Sequence, residues 1–224
     1  MSSTGEGKSR SRVLIAVLVA LVLAAGGGAA AVALQPEAAP RAYAAVDKPV
    51  VTEDVPYKGD DASAEAAESL EDVIVPDEVP EGETFATMRV PSWGDEEYPI
   101  SEGITDHVLD NLGLGRFPSS EMPGEMGNFA MAGHRTLHSR PLYRINELEV
   151  GDEIVVTTDQ GKYTYVVSEY EIVTPDQVRV VEEDPHNPEG PAVGRLMTLV
   201  ACHPLGSTAQ RWVTYAELED FKAA

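Results

Sequence analysis

Residues 195–218 read RLMTLVACHPLGSTAQRWVTYAEL. Two runs rich in β-branched and apolar residues, Arg195 to Cys202 and Arg211 to Leu218, flank HPLGSTAQ, a stretch of turn formers. The pattern predicts two closing strands joined by a short loop. The first strand ends on Cys202, the only cysteine of the chain, and the second begins nine residues later at Arg211.

Working upstream, EEDPHNPEGP (Glu182 to Pro191) reads as an acidic, proline-rich loop. Before it, EIVVTT and KYTYVVSEYEIV flank Asp159-Gln160-Gly161, a hairpin signal with glycine in the turn. Leu142 to Leu148 reads as a short turn. NFAMAGH (Asn128 to His134) alternates and predicts a strand, and FPSSEMPGEMG (Phe117 to Gly127) predicts a loop. Ile104, Val108 and Leu112 share one face of a short helix stopped by Gly113, and FATMRVP (Phe85 to Pro91) is a strand closed by proline. Many short strands with one or two short helices predict a mostly β fold, a β-barrel of roughly 140 residues.

The N-terminus carries different signals. Lys8, Arg10 and Arg12 precede an uncharged stretch from Val13 to Leu34, about 33 Å long as a helix at ~1.5 Å per residue, which matches a bilayer's hydrocarbon thickness. Cations on the leading side place the N-terminus in the cytoplasm and the rest outside. A cleaved signal peptide is the rival, with Ala31-Val32-Ala33 as its small-residue site; the retained anchor is preferred, and both export the chain. Residues 35–83 hold 14 acids against Arg41, Lys48 and Lys58, with few large apolar residues, the composition of a self-repelling disordered tether. The expected organisation is a basic tail (1–12), a single-pass transmembrane anchor (13–34), an acidic tether (35–83) and an extracellular β-domain (84–224). With 38 acidic and 16 basic side chains, a net charge of −22, the chain repels phosphate backbones, so no nucleic-acid partner is expected.

A single cysteine permits no internal disulfide, and its default reading is a small apolar core residue. A strand end beside a loop, however, is where a thiol can face a cleft and meet a base. Among the five histidines, His107 and His186 are expected in solvent. His203, next to Cys202, must point to the opposite face of a strand. His134, at the end of AMAGHRT, is the best base, with Gly133 giving close access. HRTLH places His138 four residues after His134, but paired ligation at that spacing needs a helix and no third ligand is visible, so no metal is expected there. Acids at Glu182 to Asp184 raise the alternative of calcium dependence, against the reading of a solvated loop. An arginine at 211 could donate two hydrogen bonds to an oxyanion, or be an exposed strand end.

TLVACHP (Thr198 to Pro204) resembles the TLxTC signature of sortases, the cell-wall cysteine transpeptidases. PGEMGNFAMAGHRT resembles that family's strand leading to its histidine, and Arg211 falls where the family has its arginine. The order His134, Cys202, Arg211 is the family's, and the wording of GNFAMAGHR and CHP is most like class E housekeeping sortases of high-GC Gram-positive bacteria. The resemblance implies an eight-stranded barrel in which Cys202 is the nucleophile, His134 the general acid/base and Arg211 the holder of substrate and oxyanion. It also implies Asn128, Ala201 and His203 at the substrate, and no cofactor. The implied substrates are surface proteins with a C-terminal LPxTG or LAxTG sorting signal, and the acceptor is a peptidoglycan-precursor amine or a pilin lysine. Ala201 departs from the family, which commonly has threonine there. An exported cysteine protease and a non-catalytic wall-binding β-domain are the alternatives.

Overall fold

The computed structural model describes Leu70 and residues 72–224. Eight strands form: β1 Thr84–Arg89, β2 Glu97–Glu102, β3 Leu114–Arg116, β4 Gly127–Ala132, β5 Glu153–Thr157, β6 Gly161–Val173, β7 Arg195–His203 and β8 Gln210–Ala223. They close into a barrel in the order β1-β2-β3-β4-β7-β8-β6-β5. One short helix, α1 (Asp106–Asn111), and three 3-10 turns, Pro91–Trp93, Ile145–Glu147 and Val178–Val181, decorate it.

The long β6 and β8 run antiparallel from Gly161↔Ala223 to Val173↔Arg211 and form the broadest wall. β7 is sandwiched between β8 and β4, and it pairs with β4 in parallel. A parallel pair needs a crossover rather than a tight turn, and the crossover here contains β5, β6 and the segment 174–194. Met197, Leu199 and Ala201 of β7 point inward among Phe129, Met131, Trp212 and Ala216. The alternate residue Val200 faces outward, yet it is also buried, against Val173, Val180, Val213 and Tyr215. The segment 174–194 therefore covers the outer face of β7 and β8, which explains why RLMTLVAC lacks polar alternation.

β2 and β3 were not foreseen. β2 contains Pro99 and three glutamates or aromatic-polar positions in place of a clean apolar alternation, and β3 has only three residues. Both are held by tertiary pairing, since α1 forms the crossover that sets them parallel. A buried ion pair spans them: Arg116 Nε donates to Glu102 Oε2 at 2.6 Å, and Arg116 Nη1 donates to the Ser120 carbonyl. In α1, Val108 is buried as expected, while Ile104 lies before the helix and is exposed.

The end of the acidic segment packs on the barrel, not away from it. Leu70 and Val73 lie against the core, and Tyr163 Oη donates to the Ile74 carbonyl at 2.6 Å. Gly82 N donates to the Glu102 carbonyl at 2.9 Å. The last part of the segment expected as tether thus has contacts with the barrel at Leu70, Val73, Ile74 and Gly82. The expected anchor at 13–34 and most of the tether lie outside the described residues; among the described residues no helix is long and apolar enough to cross a membrane.

Candidate active site

Three neighbouring strands end at one place. In the parallel β4–β7 ladder Ala132 stands beside Val200, and Gly133 N continues the ladder with a hydrogen bond to the Val200 carbonyl at 3.2 Å. In the antiparallel β7–β8 ladder Cys202 is paired directly with Arg211. His134 follows Gly133 just past the end of β4, so the end of β4 leads the base towards the end of β7 that carries the thiol, although 68 residues separate His134 from Cys202 in the chain.

Strand alternation selects the face. Ala201 and His203 are buried at 2% and 6% exposure, whereas Cys202 between them is partly exposed. The thiol thus projects to the outer face, beside the apolar floor of Val200 and Val213. Gly133 matters for packing more than for access: a Cβ there would come within 2.7 Å of Leu114 Cδ2 and 3.1 Å of Leu142, both fully buried. Only glycine lets the chain run this close to the core before His134 emerges.

His134 is held from outside the sheet. Its Nε2 lies 2.7 Å from Asp110 Oδ1 on α1. A carboxylate only accepts, so in the neutral ring the proton is on Nε2 and the lone pair is on Nδ1. Asp110 had no signal in the sequence, being one acid among many in a short helix. His138 reaches the same oxygen at 3.0 Å, and its ring stacks on His134 with centroids 5.0 Å apart. The expectation that these two histidines could not meet without a helix is therefore corrected. A turn with His138 at φ 56° and Arg140 at φ 51° returns the second ring over the first, and Asp110 supplies the third group.

Arg135, the residue after the base, is 4% exposed and ties the site together. Its Nη1 lies 3.1 Å from His203 Nδ1, its Nη2 donates to Asn146 Oδ1 at 2.7 Å, and its guanidinium lies 5.8 Å from the Trp212 ring centroid. The residue after the base thus grips the residue after the thiol. Arg211 Nη1 donates to the Thr208 and Gln210 carbonyls at 3.0 and 2.9 Å, which orients the guanidinium on its own loop. Neither bond uses Nη2 or Nε.

The three residues expected at the substrate, Asn128, Ala201 and His203, have the following surroundings. Asn128 is fully buried; its Nδ2 donates to the Val180 and Glu182 carbonyls at 3.2 and 2.9 Å, and its Oδ1 accepts from Thr198 Oγ1 at 2.8 Å. It fastens the Val178–Val181 turn over β4 and β7. His203 serves the Arg135 contact, and Ala201 faces the barrel core opposite Trp212. The covering segment has a further anchor in Arg179, whose Nη2 pairs with Glu171 Oε2 of β6 at 2.7 Å, while Tyr215 Oη of β8 donates to Glu171 Oε1 at 2.5 Å. His186, expected in solvent, is partly buried on the Tyr215 ring and 3.1 Å from Glu169, and desolvation holds its pKa below the ordinary histidine value. His107 is exposed. Asp184 Oδ1 accepts from the His186 and Asn187 amides, and the acids at 182–184 form no three-ligand cluster among the described residues.

A sortase-domain family model matches residues 88–219, more than half of the chain. Sortase SrtE1 of Streptomyces coelicolor is 33% identical over 61% of this chain and 41% of its own length; sortase D of Bacillus subtilis is 27% identical over 61% and 64%. The chain thus spans about two fifths to two thirds of these curated relatives. Among solved structures, the SrtA sortase of Actinomyces oris superposes with a TM-score of 0.65 at 34% identity, covering 69% of this chain and 89% of that one. Sortase E1 of Streptomyces coelicolor, solved with a tripeptide in its active site, gives 0.57 at 30% identity over 63% and 91%. By the family match over most of the described chain and the closed eight-stranded barrel, this chain is a member of the sortase family.

Proposed function

We propose that the protein is a membrane-anchored cysteine transpeptidase that joins the threonine carbonyl of a C-terminal LPxTG- or LAxTG-type signal to an amine. The single observation that carries this reading is the direct pairing of Cys202 with Arg211 on β7 and β8, next to the end of β4 from which His134 emerges. The tripeptide in the Streptomyces coelicolor relative's active site supports a peptide substrate.

In the proposed reaction the Cys202 sulfur attacks the carbonyl carbon of the Thr–Gly bond, and the thiol proton goes to His134. The carbonyl oxygen becomes an oxyanion, which Arg211 stabilises with hydrogen bonds that need no loss of its own proton. The C–N bond then breaks and His134 protonates the departing glycine amine, leaving a thioester. An acceptor amine attacks the thioester, His134 takes its proton, and the C–S bond breaks to restore the thiol. Splitting the transfer in two conserves the acyl group's reactivity for the amine.

The acceptor is a peptidoglycan-precursor amine or a pilin lysine, and the anchor at 13–34 holds the domain outside the cell membrane, where both substrates arrive. The test incubates the full chain in detergent with a fluorogenic LAxTG peptide and an amine. The reading requires an acyl-enzyme at Cys202 and amine-dependent product, both lost in Cys202→Ala. Hydrolysis indifferent to the amine would favour the exported protease. No cleavage, together with no labelling by a thiol-directed peptide analogue, would leave the wall-binding module.

A further inference from the structure

We propose that Asp110, His134 and His138 form a divalent transition-metal site, with Zn²⁺ as its natural fit, and that metal binding there reversibly removes His134 from proton transfer. Binding stands on the geometry alone; the inhibitory consequence rests on the function proposed above.

The two imidazole Nε2 atoms converge on one carboxylate oxygen, at 2.7 Å from His134 and 3.0 Å from His138, and all three ligand atoms lie within 4.8 Å of one another. Zinc at ~2.0–2.1 Å from each ligand in a tetrahedron needs ligand atoms roughly 3.3 Å apart. The two spacings to the Asp110 oxygen therefore have to open by only about 0.3–0.6 Å, and the two Nε2 atoms, within 4.8 Å of each other, have to settle at the same separation. Two histidines and one carboxylate leave a fourth position for water, the ligand number of open zinc sites. The donor set excludes calcium and magnesium, which take oxygen ligands.

Positioning of His134 alone does not account for this arrangement. One carboxylate contact fixes the His134 ring, yet a second ring is brought to the same oxygen by a turn with two non-glycine residues in the left-handed region, His138 and Arg140. Such conformations persist where the surroundings over-determine them, and they concentrate at ligand sites. In the metal complex each neutral ring carries its proton on Nδ1 and binds through the Nε2 lone pair, and Asp110 neutralises part of the ion's charge. The side chains are 24% (His134), 40% (His138) and 36% (Asp110) exposed, so an ion reaches them from solvent without opening the fold. With its Nε2 on the metal and its Nδ1 protonated, His134 has no lone pair with which to accept the thiol proton.

The test is calorimetric titration of Zn²⁺ into the untagged full chain in a non-chelating detergent, alongside Cys202→Ala, Asp110→Ala and His138→Ala. Thermal melts confirm that each variant is folded. The expected result is saturable one-to-one binding, unchanged in Cys202→Ala and weakened at least ~10-fold in His138→Ala and Asp110→Ala. Co²⁺ as a probe should give d–d bands without a thiolate charge-transfer band. Zinc should also lower the peptide transfer rate in a chelator-reversible way, with the sensitivity of His138→Ala, relative to its own metal-free rate, reduced to the same extent. Loss of binding in Cys202→Ala would assign zinc to the thiol and overturn the site, as would His138→Ala binding within twofold of wild type or an absence of binding. Metal binding by a protein that turns over no peptide would leave the site standing and refute only the transpeptidase reading.

Discussion

Replacing Arg135 by methionine tests whether the base and the nucleophile are held by one side chain. The change deletes the contacts to His203 Nδ1 and Asn146 Oδ1 and the cation near Trp212, all at a position only 4% exposed. Each lost hydrogen bond to a charged group is worth about 1.5–3 kcal/mol, and the cation–π contact adds about 0.5–2. Relief of the buried guanidinium's desolvation and the packing of the methionine stem offset part of this. The expected net destabilisation is about 3 kcal/mol, which at ~2–4 °C per kcal/mol for a domain of this size lowers the melting temperature by roughly 6–12 °C. Activity should fall further than stability explains. Below both melting temperatures, a His134 turn displaced by ~1 Å should lower kcat/KM by on the order of 10²-fold. Arg135→Lys should fall between the two, because one ammonium cannot reproduce the planar fork that spans His203 and Asn146. The assays are a thermal melt and steady-state transfer from peptide to amine by the full chain. A methionine variant with a melting temperature within about 2 °C of wild type and kcat/KM within about threefold would refute the hub.

Arg211→Ala should lower the acylation rate ~10²–10³-fold, measured as single-turnover release of the glycine-containing fragment; a loss below about tenfold would remove Arg211 from the oxyanion. Ala201→Thr, which restores the family's common residue, should destabilise by about 1–3 kcal/mol because the added atoms enter the core opposite Trp212, readable as an earlier denaturant midpoint. Glu217 is partly buried on β8, and desolvation, followed by the Glu219 charge, raises its pKa above the ordinary 4.5. Its ionisation is therefore harder in the folded state, so its contribution to stability is fully present below 4.5 and lost as pH rises through the folded value. Glu217→Gln should accordingly melt higher than wild type at pH 8, with the gap closing as pH falls towards 4.5.

Periodicity and turn chemistry exposed β1, β4, the β5–β6 hairpin and the β7–β8 pair, because those strands carry long apolar or β-branched runs. β2 and β3 escaped for opposite reasons: proline and acids mask the first, and three residues are too few for any period in the second. At the candidate site, strand ends and motif order point to His134, Cys202 and Arg211 from the sequence alone. Asp110, Arg135 and the approach of His138 were not legible there. Each depends on contacts between elements far apart in sequence, and the left-handed backbone at His138 and Arg140 has no glycine to announce it. Alternation correctly predicted that His203 faces away from the thiol. It could not reveal that Asn128 is occupied in fastening the Val178–Val181 turn.

Closure of the barrel has a consequence for recognition. Every strand has a hydrogen-bonded neighbour on both sides, β1 pairing with β5 to complete the ring. Among the described strands an extended peptide therefore finds no full-length open edge to which it could add itself, the sequence-tolerant route used by many peptide-binding domains, since only stretches such as β6 beyond its β5 partners lack a second strand. It is then read mainly by side chains on the outer face and by the covering segment at 174–194. Substrate choice is then separable from the scaffold, and exchanging that segment between relatives should transfer peptide preference while the barrel and its three candidate residues stay as they are.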